Sequence, residues 1–88
     1  MHVRTANQIR AYLQLAAYTP DILPEDIVRT SGNRPAWHCN CRAIRPGERR
    51  FKPLLIEGYD VLSDIAKLGA EFEISPSKDH IKVRAKRR

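Results

Sequence analysis

Between Ala6 and Tyr18 the apolar residues Ile9, Leu13, Ala16 and Ala17 recur at helical spacing, and Ala11, Tyr12 and Leu15 broaden the same face. Thr5 suits the N-cap, where a hydroxyl can accept an otherwise unpaired backbone N–H. Thr19-Pro20 ends the run, because the residue before proline is pushed out of helical geometry. The pattern predicts a helix over 6–18. Pro24-Glu25-Asp26 resembles a second helix start, with proline in the first turn and carboxylates at the positive end of the helix dipole. Ile27 and Val28 supply a short apolar patch, Gly32 and Asn33 a stop, and Pro35 bars continuation. This second predicted helix has about two turns.

Beyond Ala36 the period becomes two. Trp37, Cys39, Cys41 and Ala43 alternate with His38, Asn40 and Arg42, the signature of a half-buried strand. Arg45-Pro46-Gly47-Glu48 places proline and glycine where a type II turn needs them. Residues 49–56 then return as a partner strand carrying Phe51, Leu54 and Ile56. Pro53 cannot donate to a ladder, so this strand is expected at a sheet edge or to end early; the competing reading starts a helix at Pro53. Gly58 to Leu68 reads as an apolar helix with an acidic exposed stripe, closed by Gly69. Phe72 and Ile74 alternate with Glu71 and Glu73, residues 75–79 turn, and Ile81 and Val83 alternate with Lys82 and Arg84 on the way back. The expected fold is α+β: two N-terminal helices, a β-hairpin, a helix and a C-terminal β-hairpin, the strands forming a small antiparallel sheet. At 88 residues the chain makes one domain, 1–88, with a basic C-terminal tail at 86–88.

Charge sharpens this picture once the net +6 is divided along the chain. Residues 1–33 are balanced, 34–56 carry +5, 57–77 carry −4 and 78–88 carry +5. Basic residues therefore gather in the two predicted hairpin regions, with an acidic stretch between them. Such segregation bears on partners and steering rather than on fold. Glu71 and Glu73 face Lys82 and Arg84 across the second hairpin, and opposite charges paired in this way stabilise a sheet by about 0.2–1 kcal/mol each. That pairing discounts Lys82 and Arg84 as binding groups, but not Lys86, Arg87 and Arg88.

Reaction chemistry finds little support. Cys39 and Cys41 lie too close in sequence for an unstrained disulfide and offer half of a zinc site at the wrong spacing, with His38 pointing to the other face. They read as small buried hydrophobes beside Trp37. No metal and no cofactor is expected. The serines sit in no nucleophile elbow and the four glycines build no phosphate loop, so an enzyme is not expected. No stretch reaches the roughly 18 apolar residues that span a bilayer, and the first residues lack a signal-peptide core, so a cytoplasmic protein without a membrane partner is expected.

The basic elements carry the functional expectation. Arg42, Arg45, Arg49, Arg50 and Lys52 surround the first turn, and Lys86, Arg87 and Arg88 add an electrostatic arm. Arginine's planar fork suits phosphate, so these residues predict a nucleic-acid-binding regulatory protein whose grip on the backbone weakens with salt. The alternative is a protein-interaction module, such as a phage-type inhibitor of a host complex that handles nucleic acid, using the acidic stripe of Glu57, Asp60 and Asp64. Attraction between acidic helix and basic hairpins also allows a homodimer. In element order, residues 58–85 resemble the last helix and wing of winged-helix DNA-binding domains, in which the helix reads the major groove and the wing touches the backbone. The same stretch is similar to helix–hairpin docking domains of multienzyme assembly lines.

Overall fold

The computed structural model describes residues 3–30, 36–59 and 70–85. Helix α1 spans Val3–Leu15. Strands β1 (Thr19–Asp21) and β2 (Ile27–Arg29) follow, separated by a single 3₁₀ turn at Pro24–Asp26. The long strands β3 (Trp37–Ile44) and β4 (Lys52–Gly58) come next, then β5 (Ala70–Ile74) and β6 (His80–Ala85).

Helix α1 begins before the predicted Thr5 cap, and Thr5 lies buried within it. Ala6, Ile9 and Leu13 form its core stripe, while Leu15 is 89% exposed. It ends in a Schellman motif: Tyr18 N–H donates to Leu13 O at 2.8 Å and Ala17 N–H to Gln14 O at 3.1 Å. Ala17 occupies the left-handed position (φ 68°) usually taken by glycine. Tyr18, placed by this cap, turns into the core instead of extending the helix.

The second predicted helix does not form. Pro24-Glu25-Asp26 does start a turn, and the Asp26 carboxylate accepts the Leu23 N–H at 2.9 Å. Ile27 is already extended, however, and β2 pairs with β3 in antiparallel register, Ile27 opposite Cys39. The β-branched pair Ile27-Val28 gains more from one buried strand position than from an apolar stripe about two turns long.

The sheet corrects the expected arrangement further. It is one six-stranded half-barrel in the order β1-β3-β4-β6-β5, with β2 also pairing β3. It is not purely antiparallel, because β4 and β6 run parallel, with Ile56 opposite Ile81 and Gly58 opposite Val83. The two hairpins thus become one sheet. Strand β4 lies inside it, where a proline is not expected. Pro53 is accommodated because pairing with β6 begins only at Leu55. The alternative helix from Pro53 is excluded by the same pairing.

The predicted third helix was to begin at Gly58, but Gly58 closes β4, and Tyr59 N–H donates to Val83 O at 3.0 Å. Residues 60–69 lie outside the described residues, which contain one α-helix. A Cβ on Gly58 would come within 2.3 Å of three atoms of the Trp37 indole, which lies across that backbone. Glycine is required here by close approach, not as a helix start.

One face of the sheet is apolar: Trp37, Cys39, Cys41 and Ala43 of β3, Leu54 and Ile56 of β4, and Ile81 and Val83 of β6 pack with Ile9 and Leu13 of α1. Tyr12 of α1 stacks on Phe72 of β5, with ring centroids 4.1 Å apart. By strand alternation the outer face carries His38, Asn40 and Arg42, then Pro53, Leu55 and Glu57, then His80, Lys82 and Arg84.

Candidate nucleic-acid interface

Because β4 and β6 are parallel neighbours, the turn that precedes β4 and the turn that precedes β6 meet at the same end of the sheet. The first is a type II turn: Gly47 has φ 79° and Glu48 N–H donates to Arg45 O at 3.0 Å. In the second, Lys78 N–H donates to Ser75 O at 2.9 Å and Lys78 itself is left-handed, with φ 63°. Ser77 Oγ donates to Asp79 Oδ1 at 2.5 Å, and this bond holds the Asp79 carboxyl below its ordinary range.

Arg45 joins the two turns. Its Nε donates to Lys78 O at 2.9 Å and its Nη2 to Pro53 O at 3.3 Å. Only 12% of its side chain is exposed, and Glu48 lies 3.8 Å from Nη1. Arg45, expected on phosphate, ties the two turns together. Between the turns lies a cleft of about 380 Å³ bordered by Arg45, Lys52, Pro53 and Asp79.

The other expected basic residues divide. Arg42 pairs with Asp21 across β1 and β3 at 3.0 Å and rests 5.7 Å from the centroid of the Phe51 ring. Lys52 pairs with Glu48 at 3.1 Å. Both pairs are largely exposed and hold each charge by no more than about 1 kcal/mol. Arg49 and Arg50 are exposed and pair with no carboxylate among the described residues. Lys78 joins them from the second turn. Sequence reading missed it, because only the parallel pairing places residue 78 beside the first turn. The meeting turns hold Arg45, Arg49, Arg50, Lys52 and Lys78 against Glu48 and Asp79. Lys86, Arg87 and Arg88 lie outside the described residues.

The body of the sheet is electrostatically different. Lys82 has Glu57 opposite it on β4 and Glu73 opposite it on β5, and Arg84 faces Glu71. Arg84 also stands over the Tyr59 ring at 5.2 Å. Glu57, expected on an acidic helix, belongs to β4, where its carboxylate meets His80 Nε2. Asp60 and Asp64 lie outside the described residues, so the expected stripe is not assembled among those that are described.

Cys39 and Cys41 are buried free thiols on the core face. Cys41 Sγ donates to Leu54 O at 3.4 Å. A hydrogen bond with Cys39 and then burial raise its pKa, so it stays protonated at neutral pH and is a poor nucleophile. Among the described residues no group of three His, Cys, Asp or Glu side chains is placed to hold a metal ion. No helix among them is long and apolar enough to cross a membrane. No protein-family model, curated protein or solved structure matches the chain.

Proposed function

We propose that this chain is a small nucleic-acid-binding regulatory protein of the cytoplasm that holds the phosphate backbone at the end of the sheet where the two turns meet. The observation that carries the reading is the Arg45 tie to Lys78 O, which fixes two turns side by side. Arg49, Arg50 and Lys78 then project from one rigid end with few competing carboxylates. Such a site grips charge rather than base sequence, so affinity depends on counterion release.

Fluorescence anisotropy of a labelled oligonucleotide tests the proposal. With about three phosphate contacts, raising salt from 50 to 200 mM weakens binding by at least about tenfold. Affinity unchanged over that range rules the reading out. A stoichiometric protein partner recovered from nuclease-treated lysate would then favour the interaction-module alternative.

A further inference from the structure

Phe51 is a large aromatic side chain outside the core cluster. It sits between Arg50 and Lys52 at the entry to β4 and is 44% exposed, while Trp37 of β3 and Leu54 and Ile56 of β4 turn into the core. Its contact with the outer-face Arg42 sets it beside exposed Pro53 and half-buried Leu55. These three form an apolar track about 13 Å long at roughly 3.3 Å per residue. Register sets Arg42 beside Pro53 and Asn40 beside Leu55. Arg42 pairs with Asp21 and lies over the Phe51 ring. The track starts at the basic end formed by Arg49, Arg50 and Lys78 and stops at Glu57, whose carboxylate would repel a phosphate. An exposed ring backed by a guanidinium, flanked by cations and followed by an amide, has the composition of a base-stacking platform. A duplex, with its bases already stacked, has no use for it.

Resting on the proposed nucleic-acid reading, we infer that the preferred ligand is a single strand, one base stacked on Phe51 and its neighbours running along Pro53 and Leu55 toward Asn40, with phosphates on Arg49, Arg50 and Lys78. The footprint is short, about two or three bases, as on other sheet platforms.

Anisotropy with labelled dT and U 12-mers, a 12-base-pair duplex and an abasic 12-mer tests the inference. The single strands bind more tightly than the duplex or the abasic strand; the dT and U arms show whether a 2′-hydroxyl matters. Phe51→Ala lowers single-strand affinity about tenfold and leaves duplex affinity and the salt dependence unchanged. Loss of the half-buried ring and its Arg42 contact lowers the melting temperature modestly, and a retained cooperative transition checks folding. Phe51→Trp keeps single-strand binding, and its emission is quenched by the dT 12-mer but not by the abasic strand; the one native tryptophan, Trp37, is buried. Salt-sensitive binding that Phe51→Ala leaves untouched, or equal affinity for duplex and single strand, overturns the inference while sparing the proposed function. Absence of salt-sensitive binding to every probe overturns both.

Discussion

The two β-hairpins deploy their basic residues in opposite ways. In the β5–β6 hairpin, cations and carboxylates stand opposite one another along the strands, and Lys82 has a glutamate on either side. In the β3–β4 hairpin the basic residues gather at the turn, where Arg49 and Arg50 have no carboxylate partner among the described residues. Charge paired along a strand contributes to the sheet; charge at a turn remains available to a ligand. Net charge per segment does not distinguish the two cases, whereas strand register does.

Four changes separate the parts of the molecule that hold the sheet from the parts that face a partner. The largest effect is expected from Gly58→Ala, whose Cβ collides with the Trp37 indole where β3, β4 and β6 meet. Overpacking there costs about 3 kcal/mol, read as a lower urea midpoint, and a midpoint unchanged from wild type would mean the indole lies elsewhere. Next, Arg45→Gln removes the tie between the turns and costs about 1–3 kcal/mol, because a nearly buried guanidinium and two carbonyls lose their bonds. A loss of affinity with no change in stability would instead make Arg45 a phosphate ligand. Ala17→Gly acts at the helix cap and raises stability by about 1 kcal/mol by relieving a left-handed alanine. A lower melting temperature would contradict the cap.

The smallest effect is pH-dependent. Ser77 and its neighbours lower the Asp79 pKa, so the folded carboxyl releases its proton more readily than the unfolded one. Its contribution is complete above the ordinary carboxylate value near 3.9 and is lost as pH falls below that through the lowered folded value. Asp79→Asn should therefore flatten the acid limb of a melting temperature–pH curve, and an unchanged limb would show that the turn does not depend on this bond.

Local pattern in the sequence made much of this architecture legible. The alternation at Trp37, Cys39, Cys41 and Ala43 is the inward face of β3, and Pro46-Gly47 makes the turn its spacing calls for. The start signal at Pro24-Glu25-Asp26 is also real, but its reach is one turn, because Asp26 satisfies Leu23 and Ile27 is recruited by β3. What local pattern could not show is long-range: the parallel pairing of β4 with β6, the indole that makes Gly58 obligatory, and an arginine whose acceptor lies 33 residues away. That last contact gives Arg45 a scaffold role and brings Lys78 beside the first turn. Phe51 was visible in the sequence as a strand residue, and only its exposure and the Arg42 contact distinguish it from a core residue.

The central claim is that the turn end, not the strand body, meets the phosphates. It is tested most directly by the salt dependence of oligonucleotide affinity in two double variants, Arg49→Gln/Arg50→Gln and Lys82→Gln/Arg84→Gln. The first should shallow the slope of log affinity against log salt by about 1.5 and weaken binding at low salt, while the second leaves both near wild type. A slope that changes only in the second variant, or equally in both, would contradict the account.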